Sequence, residues 1–145
     1  MMLKKSPWVI DYDCGGCNGC SLEILATLTP RYDIERFGSV YKSSPRNADI
    51  LIIQGCMNKK AVSRVMTIRR QMAEPAIVMA VGSCAITGGP FAEAYNCAGP
   101  VKDFVDVDIF VPGCPPRPEA IIDGMIKALK GLDGRKKRIG KKAKK

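Results

Sequence analysis

Four of the seven cysteines sit in three glycine-rich settings: Cys17-Asn-Gly-Cys20, Gly82-Ser-Cys84-Ala and Pro112-Gly-Cys114-Pro-Pro-Arg-Pro. A cubane iron-sulfur cluster takes thiolates from separate loops, and small neighbours leave room for its bulk. Taken alone, the Cys17/Cys20 pair also fits a redox dithiol or half of a zinc site. A dithiol gives Cys84 and Cys114 no role, however, and structural zinc usually draws on two close pairs or on histidine, which this chain lacks. Isolated ligands far along the chain suit a cluster better. Cys14 lies just ahead of Cys17 and could replace Cys17 or Cys20 as a ligand. Cys56 and Cys97 are expected to be small buried hydrophobes.

The elements that must position these thiols can be read from periodicity. Trp8 to Tyr12 predicts a first strand that runs directly into the Cys14–Cys20 loop. Ser21 is expected to cap a helix that buries Leu22, Ile24, Leu25 and Leu28 and stops at Thr29-Pro30. Asp33 to Phe37 predicts a short strand ended by Gly38. Ala48 to Ile53 and Ala76 to Val81 are continuous apolar runs, the pattern of parallel strands covered on both faces, and Asp108 to Val111 predicts a further strand. Between and after them, Lys59 to Met72 and Glu119 to Leu132 carry apolar residues at helical spacing.

Strands alternating with helices imply right-handed crossovers and a mostly parallel sheet flanked by helices, an α/β fold. In such sheets the functional crevice lies beyond the carboxyl ends of the strands. The Cys17/Cys20, Cys56, Cys84 and Cys114 positions all follow predicted strands, so the topology gathers them at one edge.

The 145 residues are expected to form one domain over 1–133 and a basic tail over 134–145. With 46% hydrophobic and 26% charged residues the chain is globular rather than disordered. The net charge of +9 is concentrated: eight of the 23 basic residues fall in Arg135 to Lys145, where Ile139 is the single large apolar residue. That is the composition of a solvated tail. No aromatic residue lies within it, which argues against a stacking nucleic-acid interface. No run approaches the roughly 20 apolar residues of a membrane span, and no signal peptide is evident. A cytoplasmic chain is expected, in which cysteines are ligands or redox groups.

The chain carries the strings Cys17-Asn-Gly-Cys20-Ser-Leu-Glu23, Leu28-Thr-Pro-Arg-Tyr-Asp-Ile-Glu-Arg-Phe-Gly38, Gly82-Ser-Cys84-Ala and Val111-Pro-Gly-Cys114-Pro-Pro-Arg-Pro-Glu119, of which the Pro-Gly-Cys-Pro-Pro-Arg-Pro-Glu run is highly specific. Together they resemble the small subunit of membrane-bound, energy-converting nickel-iron hydrogenases, a family related to the 20 kDa subunit of respiratory complex I. The resemblance covers nearly all of residues 7–132. Complex I subunits carry two adjacent cysteines where this chain has a spaced pair, which favours the hydrogenase branch.

The resemblance implies a flavodoxin-like fold and makes Cys17, Cys20, Cys84 and Cys114 the ligands of one 4Fe-4S cluster, the proximal one in hydrogenase terms. It implies a nickel-iron centre in a separate large subunit and a ferredoxin-type two-cluster subunit, fed by reduced ferredoxin, as electron source. It also implies membrane subunits that hold the chain at the cytoplasmic side of the membrane. It hints that Glu23 relays protons at the subunit interface, although a glutamate near a helix N-terminus needs no such role. Where Ser21 stands, the family often has aspartate. Arg117 either favours the reduced cluster or anchors the following helix, and Pro115, Pro116 and Pro118 stiffen the Cys114 loop. The expected function is the electron-transfer subunit of a ferredoxin-linked hydrogenase complex, an oxidoreductase whose complete active site is not in this chain. Its rival is the equivalent subunit of a complex I-like quinone or sulfane-sulfur reductase.

Overall fold

A strand whose every residue is buried needs cover on both faces, and the segment Ile50–Gln54 is buried throughout. In the computed structural model, which describes residues 6–142, this segment is the middle of a five-stranded parallel sheet. In chain order the strands are β1 (Trp8–Asp13), β2 (Val40–Tyr41), β3 (Ile50–Gln54), β4 (Met57–Asn58), β5 (Ile77–Val81), β6 (Cys97–Gly99) and β7 (Ile109–Val111). The sheet runs β2-β1-β3-β5-β7, while β4 and β6 pair antiparallel as a separate ribbon. Counting sheet strands alone this is the flavodoxin-like order, whose switch point falls between the first strand and its inner neighbour.

The helices are α1 (Gly19–Ala26), α2 (Lys59–Gln71), α3 (Ser83–Thr87) and α4 (Pro118–Lys142). Alternate residues of each strand face opposite sides. Val9, Ile50, Ile52 and Met79 pack with Ile24 of α1 and with Ile121 and Met125 of α4. Ile10, Leu51, Ile53 and Val78 pack with Ala61 and Val65 of α2 and with Ala85 of α3. The sheet is therefore covered on both faces, as its uninterrupted apolar strands require.

Several local expectations are corrected. The segment expected as a strand over Asp33 to Phe37 is a 3-10 turn, Ile34–Phe37, between Asp33 at φ 40° and Gly38 at φ 92°. The edge strand forms two residues later, at Val40–Tyr41, where β1 offers free backbone groups. Helix α1 begins at Gly19, with Asn18 rather than Ser21 at the cap. Asn18 adopts φ 67°, a left-handed geometry that asparagine tolerates, and this starts the helix inside the cysteine turn. Leu22 and Leu25 are not buried: they are 62% and 54% exposed, because only the Ile24 side of this short helix meets the sheet.

Helix α4 continues past Leu132 to Lys142. Lysine and arginine are good helix formers, and positive charge suits a helix C-terminus. The side chains of the basic segment, expected to be solvated, lie outside the described residues. Among the described residues no helix is long and apolar enough to cross a membrane.

One contact sets how closely α4 approaches the sheet. A Cβ at Gly124 would stand 2.7 Å from Val111 Cγ2 and 3.1 Å from Met79 Sδ. Glycine is the residue that lets the helix lie this close. Gly124→Leu is expected to destabilise the chain by about 1–3 kcal/mol through overpacking, read as a lower urea midpoint with an unchanged slope.

Candidate metal centre

The turns after β1, β5 and β7 carry the four thiols singled out in the sequence. The turn after β1 is fastened by Asp13. Its Oδ1 accepts the Gly15 N–H at 2.8 Å and its Oδ2 accepts the Ser21 hydroxyl at 3.3 Å. Ser21, expected as a cap, thus braces the base of α1 against the end of β1. A second fastening comes from the segment that joins β3 to α2. The Cys56 N–H donates to the Gly15 carbonyl at 2.5 Å. Asn58 Nδ2 donates to the Cys14 carbonyl, while Asn58 Oδ1 caps α2 by accepting from Ala61 N–H at 2.7 Å.

The turns after β5 and β7 are joined to each other. Ser83 donates both its N–H, at 2.8 Å, and its hydroxyl, at 3.1 Å, to the Gly113 carbonyl. Gly82 N–H donates to the Val111 carbonyl at 2.9 Å. These bonds hold the residues next to Cys84 and Cys114 in a fixed relation. The Cys114–Pro115 bond is cis. Arg117 contributes its carbonyl, which accepts from Ala120 and Ile121 N–H and so opens α4. Tyr32 donates to Glu119 Oε1 at 3.2 Å. Bonding to its own backbone, with help from Tyr32 and nearby Arg117 and Arg31, holds the exposed Glu119 carboxyl below its usual range.

Cys17, Cys20 and Cys84 share one crevice with Asp13, Gln54 and Gly55. Burial, followed by the charges of Cys84, Cys17, Cys114 and Asp13, pushes the Cys20 thiol up to about 11. Burial is also the first cause that raises Cys84, followed by Cys114 and Cys17. A cationic body bound beside Cys20 and Cys84 would offset that burial and favour their thiolates. Cys84 is buried, Cys20 half-buried, and Cys17 and Cys114 are exposed.

The donor set is all sulfur, which suits iron-sulfur ligation, and the backbone is cut to fit it. Gly82 lies at φ 87°, and a Cβ there would stand 2.5 Å from Cys20 Sγ. Only glycine passes so close to that sulfur. Among the described residues no three Cys, Asp, Glu or His side chains meet tightly enough to hold a single metal ion. The fit to an iron-sulfur group rests on the all-thiol donor set and on the space at Gly82.

The remaining cysteines lie elsewhere. Cys14 is 1% exposed and belongs to the core under α2, on the opposite face of the sheet from α1. Burial first, then Asp13 and Cys56, push its thiol up to about 12. Cys56 is buried as expected, but Cys97 is half-buried and its sulfur touches that of Cys56. Glu23 is half-buried on α1, one turn beyond Cys20.

Residues that sequence reasoning passed over do much of the positioning. Asp13, Asn58 and Ser83 are short polar residues beside turns, the types that bond to nearby backbone, and that was the available signal. Gln54 gave less, being one amide at the end of an apolar strand. It is fully buried, and its Nε2 donates to Asp11 Oδ2 at 3.0 Å.

Cys14 yields a test in the metal-free chain. Below about pH 8.5, the ordinary thiol value, Cys14 is neutral whether folded or not. Above it, the unfolded chain ionises first, so stability falls as pH rises toward about 12. The expected slope is at most about 1.4 kcal/mol per pH unit from this thiol. Urea titrations from pH 8 upward should show it, and Cys14→Ala should make the fall shallower, with the raised Cys20 and Cys84 thiols still contributing.

Comparison with known proteins identifies the chain's relatives. Residues 17–128 match the family of the NADH ubiquinone oxidoreductase 20 kDa subunit. The chain is 48% identical over 130 residues to the probable membrane-bound hydrogenase subunit mbhJ of Pyrococcus furiosus, covering 90% of this chain and 78% of that one. It is 46% identical over 123 residues to an NADH-quinone oxidoreductase subunit of Carboxydothermus hydrogenoformans, covering 84% and 72%. Among solved structures, a chain of an archaeal membrane-bound sulfane sulfur reductase superposes with a TM-score of 0.78 at 36% identity, covering 90% of this chain and 72% of that one. These relatives are subunits of oxidoreductase complexes. The chain belongs to the complex I 20 kDa and nickel-iron hydrogenase small-subunit family.

Proposed function

We propose that this chain is the electron-transfer small subunit of a ferredoxin-linked, membrane-bound nickel-iron hydrogenase complex, with one 4Fe-4S cluster held by Cys17, Cys20, Cys84 and Cys114. The observation that carries the reading is the set of thiols on three braced turns at one sheet edge, with Gly82 leaving space at the Cys20 sulfur. When bound, the cluster supplies a one-electron relay toward an active site in a separate large subunit.

The chain's own residues hold and enclose that site. Asp13 and Ser83 fix the turns, and Gln54 closes the crevice floor from β3. Cys17 and Cys114 reach the surface, so a partner covers them. Leu22 and Leu25, exposed on α1 next to Cys20, offer an apolar face for the large subunit. Glu23, on the same helix, carries protons at that boundary. A ferredoxin-type two-cluster subunit delivers the electrons, and membrane subunits hold the assembly at the cytoplasmic side.

A second reading is favoured by the likeness to the sulfane sulfur reductase chain: the equivalent subunit of a complex I-like quinone or sulfane-sulfur reductase. The two readings ask the same of this chain and differ in the large subunit. Two nickel-binding Cys-x-x-Cys motifs in that neighbour's sequence favour the hydrogenase, and their absence refutes it.

Iron and acid-labile sulfide analysis of the intact complex, with low-temperature electron paramagnetic resonance after reduction, tests the ligand assignment. A cluster adds about four irons for this chain. Cys84→Ser, Cys114→Ser and Gly82→Ala should each remove that iron and its signal, and unchanged iron in all three contradicts the assignment. Glu23→Gln should leave iron and signal intact while lowering turnover; unaltered turnover removes the proton role.

A further inference from the structure

Cys56 and Cys97 lie outside the proposed ligand set, yet their Sγ atoms are 2.6 Å apart. Both backbones are pinned where they stand. Cys56 N–H is held by the Gly15 carbonyl at 2.5 Å and Cys97 N–H by the Ala94 carbonyl at 2.9 Å. Cys97 is also in register with Asn58 across the β4–β6 ribbon. The fold therefore sets the two cysteines side by side, with their sulfurs in contact.

The pair is also reachable. It lines an open cavity of about 250 Å³ together with Gly15, Gly16, Asn58 and Phe91. Cys97 is half-buried on this cavity, whereas Cys56 lies behind it at 7% exposure. One thiol meets an incoming reagent and the other waits in contact with it, the arrangement of an attacking and a resolving cysteine.

We propose that Cys56 and Cys97 form a reversible dithiol-disulfide site, reached through this cavity by low-molecular-weight disulfides. In the first step the Cys97 thiolate attacks one sulfur of the small disulfide, forming a mixed disulfide and expelling one thiolate, which takes up the proton Cys97 gave away. In the second, Cys56 attacks Cys97 Sγ, forming the internal disulfide and expelling the other thiolate, which takes the Cys56 proton. Two protein thiols are oxidised and one small disulfide is reduced to two thiols. Burial and the contact with Cys97 push the Cys56 thiol up to about 12, so it keeps its proton until that second step.

The site bears on the turn beside it. The Cys56 amide holds Gly15, just before Cys17, so a bond from Cys56 to the ribbon stiffens the support of that turn. The chemistry itself is independent of the cluster reading.

The test is a redox titration of the purified full-length protein in its complex, in buffers of graded reduced and oxidised glutathione, quenched with iodoacetamide. Digestion without reduction, by trypsin and a glutamate-specific protease, separates Cys97 from Cys84 by cutting after Glu93. The expected result is that Cys56 and Cys97 lose alkylation together, a linked Cys56–Cys97 peptide appears, and excess reduced glutathione restores both thiols. Independent alkylation of the two, or no linked peptide at the most oxidising ratio, overturns the proposal. Cys56→Ser should trap a glutathione adduct on Cys97, and a bare Cys97 thiol there also counts against it. Should that variant fail to fold, the wild-type peptide map decides alone.

Discussion

In a parallel sheet every strand ends on the same edge, so turns far apart in sequence share one crevice. Here the turns after β1, β5 and β7 carry cysteines that lie up to 97 positions apart in the chain, from Cys17 to Cys114. Direction alone brings them near one another, but direction does not fix distances. That is done by a few polar bonds: the two that Ser83 donates to the Gly113 carbonyl, and the two that Asp13 accepts from the Gly15 N–H and the Ser21 hydroxyl. The sheet supplies the neighbourhood and these bonds supply the geometry.

The same arrangement sets its own electrostatic problem. Burial first, and then neighbouring charge, favour the neutral thiol at Cys20 and at Cys84. A metal group must displace those protons to bind, so loading the site releases protons and couples affinity to pH. The exposure of Cys17 and Cys114, and of Leu22 and Leu25 on α1, gives the site a second boundary condition. On its own surface it is half open, and a partner that covers α1 would lower the local dielectric and with it alter any potential the site has.

Long apolar runs made the architecture legible in the sequence. Ile50 to Ile53 and Ile77 to Val81 admit little but buried parallel strands, and glycine beside each thiol marked turns. Short elements were harder. Asp33 to Phe37 is a short run closed by Gly38, which suggests a strand, yet the left-handed conformations of Asp33 and Gly38 turn it into a 3-10 segment. Leu22 and Leu25 have the spacing of core residues, but spacing cannot tell a face turned to the sheet from one turned outward. The Cys56–Cys97 contact was hidden for a related reason. It depends on the pairing of two very short strands, which neither periodicity nor composition reveals.

The central claim is that four sulfurs from three turns hold one iron-sulfur body. Iron-edge anomalous diffraction from crystals of the intact complex tests it most directly. The expected map has a compact group of iron peaks enclosed by the Sγ atoms of Cys17, Cys20, Cys84 and Cys114. Absence of iron at this edge, or a group ligated without Cys84 or Cys114, contradicts it.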